Sequence, residues 1–260
     1  DVCSSDLRRV YTGASVGNSW QWQPHNEYHV KAGARGLSWA GAQPESKSDY
    51  RARIDTVKQP YVSHETGQWC VFPNFNEIRK YTGVNKAKNF EIFRDILNDN
   101  HMGGQSYDFM MASGKLQALC YKHEIEKTLR TPDYAGFQLL ALNDYSGQGT
   151  ALVGVLDVFF EEKGYINAEQ FRRFCSPTVP LARIPKFVYA NDETFHADIE
   201  VSHFGAAPLQ GAKTSYTIKD KFGKVYAKGT VGTQTIPIGN LCALGSVDMS
   251  LKGKIGRASC

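Results

Sequence analysis

Long apolar runs are missing from this chain. Nothing in it approaches the ~20 consecutive apolar residues that a membrane-spanning helix needs, so no membrane span is expected. Blocks of like charge are missing too. The 30 Lys and Arg and the 26 Asp and Glu are dispersed, and a formal charge of +4 without a basic tract does not point to nucleic acid. Cysteine is sparse, at 6 in 260 residues with no C-x-x-C pair, and the 7 His are read as giving no ligand set. A zinc signature and a dense disulfide framework are thereby excluded. No metal and no cofactor is expected, and Cys70, Cys120, Cys175 and Cys242 default to buried free thiols. Repeats and low-complexity tracts are absent. What is present is 42% hydrophobic and 12% aromatic residues, enough to bury one or two domain cores.

The two ends do not read like protein termini. Segments 1–7 and 254–260 resemble translated sequencing adapters and are set aside from fold reasoning. The stretch between them is expected to be an internal fragment of a longer polypeptide.

That stretch has two unlike parts. Up to about Arg183, short apolar strands (9–14, 28–32, 61–64 and 137–142) alternate with helix-length segments. Phe90, Phe93, Ile96 and Leu97 fall on one face of a helix over 86–98, and Leu116, Leu119, Cys120 and His123 on one face of another over 113–130. Asn167 with Gln170 marks a further helix start. Such alternation predicts a parallel α/β sheet or barrel. Past Pro185 the period changes to two. Phe195, Ala197, Ile199 and Val201 alternate with polar residues, Asp220 to Gly223 reads as a hairpin turn, and Val247, Met249 and Leu251 alternate again. This second part, 184–253, is expected to be an incomplete immunoglobulin-like β-sandwich, all-β after an α/β first part over 8–183. Glu161-Glu162 and Glu124-Glu126 sit among Lys residues and read as solvated helix faces.

The segment from Pro60 to Trp69 carries the chemistry. A β-branched apolar run ends in Glu65, Gly67 and Trp69. A carboxylate just beyond the C-terminal end of a buried strand is where (β/α)₈ barrels keep catalytic groups. The aromatic ring and the Gln68 amide beside it suit a sugar, with its apolar ring face and fringe of hydroxyls. The plain alternative is a surface glutamate after a short strand.

These residues, together with Gly136 to Asp144, resemble glycoside hydrolase family 2, especially enzymes of Bacteroidetes described as β-galactosidases. In that resemblance 9–15 corresponds to the fifth barrel strand, 20–30 to the sixth, the strand before Glu65 to the seventh and 137–144 to the eighth. The fold implied is the C-terminal half of a TIM barrel followed by the sandwich. The activity implied is retaining hydrolysis of terminal β-glycosidic bonds with Glu65 as nucleophile, and the general acid/base glutamate then lies upstream of the fragment. His64, Gln68 and Trp69 are placed to orient Glu65 and the sugar, although His64 fits a core role equally. Trp20, Trp22, His25, Asn26, Glu27, Asn143 and Asp144 complete the expected sugar contacts. The partners implied are a glycoside or oligosaccharide substrate and the missing N-terminal half. The family also points to a periplasmic or extracellular setting, and the isolated fragment is expected to be inactive.

Two competitors are weaker. Asn26-Glu27 mimics the Asn-Glu pair of the general acid, but Glu27 precedes Glu65 by only 38 positions. The fourth and seventh strands of a ~250-residue barrel stand roughly 90 residues apart. Gly13-Ala14-Ser15-Val16-Gly17 matches the G-x-S-x-G nucleophile elbow of a serine esterase, yet Pro24 falls where the helix after Ser15 would run. A barrel that binds carbohydrate without cleaving it is the remaining alternative.

Overall fold

The computed structural model describes residues 9–12, 15–16, 26–145, 147, 149 and 151–254. The chain mixes helix and sheet, with more strand than helix and with its antiparallel sheets in the last third. It divides into two compact units. One comprises Asp1–Gly36, Thr56–Ile125 and Ala135–Arg173; the other comprises Leu37–Asp55, Glu126–Tyr134 and Phe174–Cys260.

In the first unit, β1 (Ser15–Val16), β2 (His29–Lys31), β3 (Tyr61–Thr66) and β4 (Tyr134–Leu139) form one sheet in chain order. β1 pairs parallel to β2, and β2 parallel to β3 with Val30 opposite Val62. All three residues of β2 are buried, as they must be when both faces of a parallel strand are covered. Parallel neighbours need a crossover, and helices α1 (Lys88–Asp99) and α2 (Ser106–Leu129) lie in the connection from β3 to β4. Phe90 of α1 packs with Ala87 and Leu152, and Phe75, Ile78 and Tyr81 close over them. A short helix α3 (Ala168–Arg172) opens on a capping box. Asn167 Oδ1 accepts from Gln170 N, and Gln170 Oε1 accepts from Asn167 N. The Asn167–Gln170 start signal was therefore read correctly.

Several expectations need correction. Residues 9–12 are not strand, and among the described residues the first strand is Ser15–Val16. The fourth strand starts at Tyr134, earlier than the expected 137, because a turn with Asp133 at φ 58° launches it. Leu116 and Leu119 are exposed, so they do not form the inner face of α2. Glu124 and Glu126, expected in solvent, are buried: Glu124 accepts from Gly36 N and Trp69 Nε1, and Glu126 lies 3.4 Å from Arg130. Cys70 is exposed, while Cys120 is buried and Cys175 and Cys242 lie between; all four are free thiols.

In the second unit, β5 (Thr178–Arg183), β6 (Thr194–His203) and β9 (Gly239–Ser250) make an antiparallel sheet in the order β5-β6-β9. β7 (Leu209–Lys219) and β8 (Val225–Ile236) form an antiparallel hairpin. Its turn is built as the sequence suggests: Asp220 Oδ1 accepts from Phe222 N and Lys224 N, and Gly223 takes φ 87°. Val201, Ile236 and Leu244 share one apolar cluster, so β6, β8 and β9 have a common core. Beside it Arg130, 1% exposed, lies 3.4 Å from Glu126 and 4.0 Å from Glu200. Among the described residues no helix is long and apolar enough to cross a membrane.

Candidate active site

The end of β3 is over-determined. Tyr61, Ser63 and Thr66 are buried, and Tyr61 Oη donates to Lys31 O at 2.9 Å and accepts from Ala34 N at 3.0 Å. Thr66 Oγ1 donates to Ser63 Oγ at 3.0 Å. Between these anchors Glu65 sits at φ 55°, in the left-handed region. A non-glycine residue there costs about 1–2 kcal/mol, so the surroundings must hold it in place. Arg35, in the loop after β2, does much of that. Its Nη1 donates to His64 O at 2.7 Å, to Glu65 O at 2.9 Å and to Glu65 Oε2 at 3.0 Å. Gln68 Nε2 adds a bond to the same Oε2 at 3.1 Å. The other oxygen, Oε1, faces His64 Nε2 at 3.7 Å, beyond hydrogen-bond reach. His64 Nδ1 lies 3.3 Å from Gln138 Oε1 on β4. One oxygen of Glu65 is thus engaged and the other is available to a ligand.

The backbone turns sharply after Glu65. Gly67 takes φ 86°, and a Cβ built there would stand 1.9 Å from the Tyr121 ring, so only glycine fits. Trp69, half-buried, donates from Nε1 to Glu124 Oε2 at 2.8 Å, and Gly36 N donates to Glu124 Oε1 at 2.7 Å. Burial pushes the Glu124 carboxyl up from its ordinary range. Bonds from Gly36, Trp69 and Gly67 and the charge of Arg35 act against that rise.

His64, Glu65 and Gln68 are therefore brought together directly, with Trp69 alongside. Asn143 and Asp144 occupy a different place, in the stretch after β4. Asp144 is buried and engaged: Lys163 Nζ lies 2.7 Å from its Oδ2, and Gly154 N donates to its Oδ1 at 2.9 Å. Asn143 Nδ2 donates to Asp144 O at 2.9 Å, and both line a small cavity of about 240 Å³ with Leu140, Tyr145 and Val153. Glu27 is exposed and spends Oε2 on Tyr11 N at 2.7 Å, while Asn26 is buried. Trp20, Trp22 and His25 lie outside the described residues, as do Gly13, Ala14 and Gly17 of the Ser15 motif. Ser15 itself is in β1. His25 and His29 stand four apart, a spacing the ligand reading passed over, but His29 is on a strand and fully buried. Among the described residues no group of three or more His, Cys, Asp or Glu could hold a metal.

Sequence reasoning missed Arg35 and Glu124. The only signal for Arg35 is a lone cation between Ala34 and Gly36 in a loop; for Glu124 it is the spacing from Gln117 and Tyr121, which precede it by seven and three residues along one helix face.

A family model described as a domain of unknown function (DUF8488) matches residues 193–258. No curated protein matches the chain. Among solved structures, the chain is similar to the exo-chitosanase CsxA of Amycolatopsis orientalis at 12% identity. That match covers 89% of this chain and 29% of that one, with a TM-score of 0.40. Complexes of two CsxA variants with PNP-β-D-glucosamine match at 12% and 13% identity, covering 89% and 59% of this chain. They cover 29% and 16% of those chains, with TM-scores of 0.39 and 0.35. The chain thus spans less than a third of the length of these structures.

Proposed function

We propose that this chain is part of a retaining glycoside hydrolase of family 2 type that cleaves terminal β-glycosidic bonds, with Glu65 as nucleophile. In this reading β1 to β4 are the last four strands of a (β/α)₈ barrel and the second unit carries an immunoglobulin-like sandwich. The observation that carries it is the asymmetric state of Glu65 at the C-terminal end of a strand parallel to its neighbour: Oε2 is held by Arg35 and Gln68, and among the described residues Oε1 has no donor within hydrogen-bond reach. A nucleophilic carboxylate needs that arrangement, one oxygen fixed and the other aimed at the anomeric carbon. The carboxylate is the species that attacks, and the Arg35 guanidinium balances its charge until the oxygen bonds the anomeric carbon. Trp69 offers a ring face to the sugar. The general acid/base, a second glutamate roughly 5–5.5 Å from the nucleophile, belongs to a segment outside this chain.

The test uses the full-length polypeptide that carries this segment, assayed on aryl β-glycosides. Glu65→Gln keeps the shape and the bonds to Arg35 and Gln68 through its amide oxygen but removes the nucleophile. Turnover should fall at least about 10³-fold with the fold intact. A 2-deoxy-2-fluoro glycoside should trap a covalent adduct on Glu65 in the unsubstituted protein. Retention of a tenth of the rate in Glu65→Gln, or an adduct on another residue, removes Glu65 from the role.

A further inference from the structure

Helix α2 turns a polar face toward the Glu65 loop. Gln117, Tyr121 and Glu124 are all buried, and they follow one another at four- and three-residue steps. Gln117 Nε2 donates to Trp69 O at 2.7 Å and to Val153 O at 3.0 Å. Tyr121 Oη lies 2.6 Å from Val153 O and 2.9 Å from Gly67 O. Glu124 closes the row and, unlike the other two, accepts from both of the loops that it joins. Its Oε1 takes Gly36 N, next to Arg35, and its Oε2 takes the Trp69 indole N–H. Both oxygens must therefore accept. An amide cannot do that, because a Gln here would point an NH₂ at one of the two N–H groups. The carboxyl has a use at this position, because one of its two bonds goes to Gly36, next to Arg35, whose guanidinium grips Glu65.

We propose that Glu124 is a positioning residue for the Glu65 site: by clamping Gly36 and Trp69 together it holds Arg35 against the Glu65 carboxylate and the indole beside it. The inference rests on the glycosidase reading of Glu65 and adds to it a residue nearly 60 positions away in sequence.

In the full-length polypeptide, Glu124→Gln should lower kcat about 100-fold, the size of effect expected when a reacting group shifts by about 1 Å. Trp69→Phe, which removes only the indole N–H end of the clamp, should raise KM about three- to tenfold and leave most of kcat. The double variant should be no worse than Glu124→Gln alone, because both act through one clamp. The fluoro glycoside should still label Glu65 in Glu124→Gln, but at a reduced rate. If Glu124→Gln stays within twofold in kcat and KM while the unsubstituted protein is labelled on Glu65, the positioning role is overturned and the glycosidase reading stands. If Glu124→Gln does not fold, Trp69→Phe decides: unchanged kinetics overturn the clamp. If Glu65→Gln itself keeps its rate, the reading of Glu65 fails and this inference fails with it.

Discussion

Helix α1 buries Phe90 and Leu97, whereas the neighbouring α2 buries, besides Met110, Cys120 and Ile125, the polar row Gln117, Tyr121, Glu124 and Thr128. Both obey the same three- and four-residue spacing. On α2 the inward positions run Met110, Gly114, Gln117, Tyr121, Glu124 and Thr128. The difference lies in what each helix packs against. α1 meets aromatic and aliphatic side chains, including Phe75, Ile78 and Leu152, so its inner face is apolar. α2 meets bare backbone in turns, at Gly67, Trp69, Val153 and Gly154, whose carbonyls have no ladder partner and must be satisfied by side chains. The row of α2 that meets the loop carrying Glu65 is polar for that reason.

The sharpest contrast is to delete one inward residue from each helix. Phe90→Ala opens a cavity in the apolar cluster and should cost about 3–5 kcal/mol, read from urea denaturation. Gln117→Leu, a swap toward the chemistry of α1, should cost about 1–3 kcal/mol, because it takes from the Trp69 carbonyl the side-chain donor that satisfies it. If Gln117→Leu stabilised the protein, the polar face of α2 would be an incidental packing surface, and the comparison would break.

This contrast also explains what was legible in the sequence. Apolar periodicity identified α1 and its inner residues Phe90 and Leu97, although Ile96 of the same expected face is exposed and Phe93 only half-buried, and period-two alternation located β6 and the hairpin turn at Asp220. The same rule misplaced most of the inner face of α2, choosing Leu116, Leu119, Cys120 and His123, of which Cys120 is buried, because Gly114, Gln117 and Glu124 do not score as core residues. Gly114 is in fact where the Tyr165 ring packs; a Cβ there would stand 2.2 Å from it. Glu65 was legible as an abrupt charge after a β-branched run. Arg35 and Glu124 were not, because each reaches Glu65 only through tertiary contacts, across 30 and 59 residues. β4 was placed three residues late because Tyr134 and Ala135 give no strand signal apart from the turn before them.

A buried carboxylate on the apolar side behaves unlike Glu124. Glu77, 1% exposed, sits on the turn whose Phe75 and Ile78 cover Phe90, and its Oε2 has no hydrogen-bond partner. Burial, then the neighbouring Asp157 and Asp144, push its pKa up to about 7, and Lys163 and Lys80 only partly counter them. A pKa raised above its unfolded value of 4.5 means that the folded state binds the extra proton. Stability should therefore be greatest below about pH 4.5 for this group and decline as pH rises through about 7, by at most on the order of 3 kcal/mol. Glu77→Gln, which cannot ionise, should flatten that decline and stabilise the protein above pH 7. Denaturation midpoints measured at pH 5 and pH 8 check it, and an unchanged slope between the two would show that Glu77 is not the titrating group.

The smallest expected effect discriminates best between the two pictures of α2. If apolar residues defined its inner face, Leu116→Lys would bury an unpaired ammonium and cost several kcal/mol. Because Leu116 is 57% exposed and points away from the Gln117–Tyr121–Glu124 row, the substitution should change stability by no more than about 0.5 kcal/mol. It should also leave any glycosidase activity of the full-length protein unchanged, since none of the loops around Glu65 hydrogen-bonds to Leu116. A loss above about 2 kcal/mol would return Leu116 to the core and turn the helix by one position. Gln117, Tyr121 and Glu124 would then no longer face the loop that carries Glu65, and the polar strut and the positioning role of Glu124 would fall together.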